Sequence, residues 1–207
     1  MTVFLSKLIS LLFHPVFMPI LGLWLVLETE GFYQILFSAS QKKVLYLLFL
    51  VLTVVMPLVS MMVLVRNRFV SGFHMPQREE RFIPYIQSTI YFGMLYYFVR
   101  SNGLIGPFAA GILGTIVVLV LLTLINIRTK LSAHMAGVAG VTGIMAGMIR
   151  NGMIPDAILT VCALLILCGL VGTARLSLKA HRPAEIYLGG ALGFLVEFTM
   201  VGYDLYL

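Results

Sequence analysis

Seven runs of almost unbroken apolar sequence, at 9–28, 44–65, 83–99, 104–126, 133–150, 153–173 and 184–203, dominate this chain. A helix needs about 20 apolar residues to cross the hydrocarbon of a bilayer, and only helices and closed barrels satisfy every backbone group there. Each run is near that length, so the expected fold is all-α, a polytopic transmembrane helix bundle of six to seven spans. The third and fifth runs are short, and six crossings result if one of them is partly re-entrant. Only 11% of the 207 residues are charged and 60% are hydrophobic, against about 25% charged in a soluble domain. No soluble core of this length hides so much apolar surface. Connections are short except 29–43 and 66–82, so residues 1–207 read as a single integral membrane domain. The first run lacks a small-residue cleavage pattern and reads as a retained segment.

The net charge of +6 suits loops that face anionic headgroups. The basic residues are scattered, with no soluble domain to carry them, which argues against a nucleic-acid partner. Cys162 and Cys168 lie six apart inside one apolar run, on different helix faces, and read as packing residues. The fifth run holds Ala136, Gly137, Ala139, Gly140, Gly143, Ala146 and Gly147. Small residues let helices approach closely in lipid; this is bundle packing, or a means of seating His134 at that helix's start.

With seven crossings, the N-terminus and the loops 66–82, 127–132 and 174–183 share one face. His14, His74, His134 and His181 then all fall there, with ten of the fourteen Lys and Arg residues. Ionisable groups at membrane depth are costly, and a functional site is the default reading for them. Two polar knots stand out, Lys130-Leu131-Ser132-Ala133-His134 and His181-Arg182-Pro183-Ala184-Glu185. Pro183 suits the first turn of a helix, whose N-terminus attracts anions. Glu185, four residues past His181, can accept a hydrogen bond from one imidazole nitrogen and leave the other as a nucleophile. Arg175 can present a planar fork to phosphate oxygens. Lys130 and Ser132 offer further donors, and His134 can protonate a leaving group. Taken singly, the cations also read as juxtamembrane charges. His14, before Pro15, reads as structural. Glu197, deep in the last run, is expected to pair with Arg100 or Arg150 or to sit neutral, with no catalytic role.

Ala174-Arg175, five residues, His181, three residues and Glu185 resemble the third motif, S-R-x5-H-x3-D, of the type 2 phosphatidic-acid-phosphatase superfamily. Leu131-Ser132-Ala133-His134 partly matches its second motif, P-S-G-H. The first motif, K-x6-R-P, is degenerate within 78–84: Arg81 stands for its arginine, Phe82 follows in place of proline, and His74 occupies the lysine position, with Arg78 as a substitute one turn before Arg81. The resemblance implies a membrane lipid phosphatase, active without cofactor or metal, with motifs in 78–84, 130–134 and 174–185. His181 would form a phosphohistidine, Glu185 would hold its ring, and His134 would serve as acid and base. Arg81, Arg175, Arg78, Lys130 and Ser132 would bind phosphate. The implied partners are a lipid phosphate substrate and the bilayer.

Two other classes compete. A metalloenzyme would use the four histidines with Glu185, Glu79 and Glu80, although no H-x3-H or H-E-x2-H spacing occurs. A non-enzymatic relative, a transporter or membrane subunit, would explain the degenerate first motif. The positive-inside rule places the histidine-bearing face in the cytoplasm at ten cations to four, but at six to four once Arg81, Lys130, Arg175 and Arg182 are set aside as functional. The resemblance implies a multi-pass protein of the plasma (inner) membrane whose site faces the periplasm or exterior. Neither the lipid nor the oligomeric state follows from these residues.

Overall fold

The computed structural model describes residues 1–73, 75, 77–104 and 106–205. All regular structure among them is helical: α1 (Val3–Leu12), α2 (Met18–Glu28), α3 (Phe32–Leu36), α4 (Ala39–Phe49), α5 (Met56–Arg66), α6 (Phe82–Ser101), α7 (Pro107–Asn126), α8 (Ala133–Arg150), α9 (Ile158–Ser177) and α10 (Pro183–Gly202). Five described stretches are long and apolar enough to cross a membrane: Val3–Glu28, Ala39–Arg66, Pro107–Asn126, Ile158–Ser177 and Pro183–Gly202. α6 and α8, the short third and fifth runs, have 20 and 18 residues but are less apolar, α6 through Gln87, Ser88 and its tyrosines, α8 through its glycines.

Helix boundaries depart from the apolar runs because apolarity marks contact with lipid, whereas the helical backbone continues into the polar border. The first run is also interrupted. Pro15 opens a 3-10 turn, Pro15–Phe17, that separates α1 from α2. Between α4 and α5 the helix continues as a π-helical segment, Leu50–Val55. Pro57, in the first turn of α5, cannot donate to the carbonyl four residues back, and the Thr53 hydroxyl bonds the Phe49 carbonyl at 2.8 Å. Both favour the wider register at that point.

α8 is the axis of the bundle. Ala136, Val138, Gly143, Met145 and Met148 are buried, and its glycines admit neighbours at backbone distance. A methyl at Gly137 would meet the Met18 side chain of α2, and one at Gly143 or Gly193 would strike the backbone across the α8–α10 seam. The small residues therefore do the packing work expected of them. Long apolar side chains point outward all around, as at Leu47, Leu159 and Ile166, 62, 79 and 67% exposed. An apolar perimeter of that extent fits lipid, not water.

Candidate functional site

Three helix beginnings (α6, α8 and α10) and two helix ends (α7 and α9) meet at one end of the bundle. Arg81 closes the 3-10 turn Glu79–Arg81 that leads into α6, and it is only 8% exposed. Asn126, at the end of α7, holds this turn by donating from Nδ2 to the Arg78 carbonyl at 2.6 Å. The Arg81 guanidinium points at the Leu131 and Met75 carbonyls, 3.5 and 3.4 Å away. Ser132 caps α8, accepting from the Met135 N–H, and its own N–H donates to the Glu185 carbonyl at 3.1 Å. That bond ties the second knot to the third. α9 ends at Ser177, and just beyond it Lys179 takes a left-handed conformation (φ 50°) that turns the chain toward His181.

His181 is the most constrained group. Its Nδ1 lies 3.1 Å from the Lys130 carbonyl and 3.0 Å from the Glu185 carboxylate. Both partners can only accept, so Nδ1 carries the proton and Nε2 holds the lone pair. Glu185 also accepts the Arg182 N–H at 3.1 Å, so the carboxylate caps α10 and holds the ring together. The His181 pKa is pushed down to about 4, chiefly by burial; the Glu185 bond opposes this, while Arg81 and Arg175 add to it. At neutral pH the imidazole is uncharged. Burial, and then the Arg81 charge, hold the Lys130 ammonium below its usual range.

Two guanidiniums stand near this ring. Arg175 and Arg81 lie in each other's field. Arg175 Nε is buried without a hydrogen-bond partner among the described residues. Among the described residues neither guanidinium has a carboxylate within ion-pair distance. A buried guanidinium beside a half-buried one is unfavourable unless a third party of opposite charge joins them.

His134, at the first turn of α8, lies in the fields of Arg175, His14 and His181. Its Nε2 is 3.1 Å from the Ser10 carbonyl, which can only accept, so Nδ1 is the atom left for proton transfer. Its ring meets His14 edge-on at 5.0 Å. Arg81, Ser132, Lys130, His134, Arg175, His181 and Glu185 thus come to one end of the fold. Arg78 does not join them: its guanidinium pairs with Glu79 at 2.8 Å and donates to the Arg128 carbonyl at 3.0 Å. His74 lies outside the described residues. Ser132 spends its hydroxyl on the α8 cap and presents its N–H to Glu185.

Four contributors escape a sequence reading. Lys130 orients His181 through its carbonyl, Ser10 orients His134 through its carbonyl, Asn126 braces the Arg81 turn, and His14 packs on His134. His14 is also the structural residue expected, its Nδ1 accepting the Val16 N–H at 3.3 Å. Only its place on the histidine-bearing face hinted at more. Among the described residues no three of His, Cys, Asp or Glu gather as metal ligands; Glu79 is turned to Arg78, and Glu80 to the Ser71 and Gln77 N–H groups. Glu197 takes the Thr115 hydroxyl at 2.7 Å and bonds neither Arg100 nor Arg150; Arg150 caps the Gly202 carbonyl and stacks on Tyr203.

Compared with protein-family models, curated proteins and solved structures, the chain matches none.

Proposed function

We propose that this chain is a membrane-embedded lipid phosphatase, similar to the type 2 phosphatidic-acid-phosphatase superfamily, that hydrolyses a lipid phosphomonoester or pyrophosphate. One observation carries the reading: a neutral imidazole with Nδ1 locked between two acceptors, its Nε2 left for attack, beside two guanidiniums that have no carboxylate within ion-pair distance among the described residues. Phosphoryl transfer needs mainly a positioned nucleophile and a cationic cradle.

In this mechanism His181 Nε2 attacks the terminal phosphorus, and the bond from that phosphorus to the lipid oxygen (or, in a pyrophosphate, to the oxygen bridging to the inner phosphate) breaks. His134, once protonated at Nδ1 beside the bound phosphate anion, gives that proton to the leaving oxygen. Neutral His134 then takes a proton from water, whose oxygen attacks the phosphohistidine. Phosphate departs and His181 is restored. Glu185 stabilises the imidazolium character of His181 throughout, and Arg81, Arg175 and Lys130 neutralise the phosphoryl oxygens. Arg78, held by Glu79, plays at most an outer part.

α6 and α8 complete seven crossings in this reading. The site end then lies at the polar border of the plasma (inner) membrane, facing the periplasm or exterior, where a lipid keeps its phosphate in water and its tail in hydrocarbon. The engagement of Arg78 elsewhere favours the second reading, a relative that binds a lipid phosphate without cleaving it.

The test is phosphate release from lipid monophosphates and pyrophosphates by purified protein in detergent. Wild type releases phosphate, His181→Ala abolishes release, and His134→Ala lowers it about 10²–10⁴-fold. Absence of release across the panel, or full release by folded His181→Ala, refutes the hydrolase.

A further inference from the structure

Two apolar grooves flank the π-helical segment Leu50–Val55. One, about 610 Å³, lies on the α6 side and includes Leu52, Gly93 and Met94. The other, about 380 Å³, lies on the α2 side and is lined by Phe17, Leu21, Trp24, Tyr46, Leu50 and Val54. The second differs in where it leads. Its Phe17 ring lies 6.5 Å from His14, and His14 lies 5.0 Å from His134. α2 descends beside α8, a methyl on Gly137 meeting Met18 and one on Gly22 meeting Val141. The groove therefore starts at the level of the site histidine. From Phe17 to Trp24 it runs about 10 Å further into the apolar layer, at 1.5 Å per residue.

Its far end is closed by polar groups. Tyr46 donates to Glu28 at 3.0 Å, and Lys42 pairs with Glu28 at 3.3 Å and bonds the Leu27 carbonyl at 2.7 Å. The groove is thus an apolar trough with a polar floor, and its head adjoins the His14–His134 pair, which stands in the field of Arg175. The wide π register places Leu50 and Val54 along its wall. Such π segments are commonly found at functional positions.

We infer that this trough holds the hydrocarbon chain of a phosphate-bearing lipid whose headgroup lies between Arg81 and Arg175. The inference rests on the lipid-phosphate reading above and adds the route of the chain. The α6-side groove begins at Ile90, eight residues into α6, and among the described residues it makes no ring contact with the site.

Trp24 is the only tryptophan of the chain, so its fluorescence reports on the trough. The full chain, in neutral detergent micelles, is titrated with chain-spin-labelled phosphatidic acid and, separately, with equally labelled phosphatidylcholine. Phosphatidic acid quenches Trp24 saturably, with an apparent affinity about tenfold tighter than phosphatidylcholine, the size expected of one charge-assisted contact. Arg175→Ala removes most of that preference. Leu50→Phe, which fills the trough, weakens quenching, whereas Gly93→Leu, which projects into the other groove from a position where an added methyl carbon meets nothing within 4 Å, does not. Equal quenching by the two lipids, a preference untouched by Arg175→Ala, or full quenching in Leu50→Phe overturns the inference. Phosphate release measured on the same samples separates the two readings. Selective quenching without release keeps the trough and sinks hydrolysis, and release without selective quenching does the reverse.

Discussion

Gly189 sits in the first half of α10 directly against the start of α8, and replacing it with alanine tests whether helix packing sets the site. A methyl carbon there would lie 2.8 Å from the Ser132 carbonyl oxygen and 3.1 Å from the Ser132 nitrogen. Carbon and oxygen in comfortable contact are about 3.3 Å apart, so Ser132 must retreat by about 0.5 Å. Ser132 cannot move alone. Its N–H is bonded to the Glu185 carbonyl, its hydroxyl caps α8, the Lys130 carbonyl that orients His181 lies two residues before it, and His134 lies two residues after. A 1 Å misplacement of reacting groups costs about 10²-fold in rate, so half of that implies about tenfold. Overpacking a close seam costs about 1–3 kcal/mol. Gly189→Ala is therefore expected to lower phosphate release about tenfold and to lower the detergent-solubilised melting temperature. Gly93→Ala is the control. It lies mid-helix in α6 with open space at its methyl position, and it should stabilise by about 0.5–1 kcal/mol through the backbone alone. If Gly189→Ala melts and turns over like wild type, the seam does not hold the site and the packing account fails.

Glu185→Gln keeps the shape but removes the charge beside His181 Nδ1, and the amide can turn either an oxygen or an NH₂ to it. Release should fall by two or more orders of magnitude, as for loss of electrostatic support to a developing charge, with binding of the labelled lipid retained; unchanged kcat would refute the orienting role. His181 carries its own pH signature. Its folded value of about 4 lies below the usual 6.5, so the unfolded chain takes up the proton first as pH falls. The stability that depends on neutral His181 is complete above about pH 6.5 and is lost toward pH 4, by about 3 kcal/mol in all. Melting curves from pH 7.5 to 4.5 should show this loss, and His181→Asn should remove it; a pH response identical in that variant would contradict the burial of the ring. Asn126→Ala leaves the Arg78 carbonyl without its 2.6 Å partner, at about 0.5–1.5 kcal/mol for a part-buried hydrogen bond. A melting temperature equal to wild type would mean that the Arg81 turn does not depend on α7.

The sequence alone determined the membrane class, because the length of an apolar run is set by the hydrocarbon it crosses and needs no knowledge of neighbours. It also determined the His181–Glu185 pair, since Pro183 starts a helix and four residues complete one turn, and the Ser132 cap, which is equally local. It did not determine which arginine enters the site. Arg78 and Arg81 are one turn apart and chemically alike, and only the bond from Asn126 and the nearby Leu131 carbonyl decide that Arg81 turns inward while Arg78 reaches Glu79. Nor did it determine the tautomers of His181 and His134. Those are fixed by the carbonyls of Lys130 and Ser10, and every residue carries a carbonyl, so no side-chain pattern signals where one will point. The π segment and the trough beside it likewise arise from helices meeting, which is a property of the assembled bundle and not of any one run.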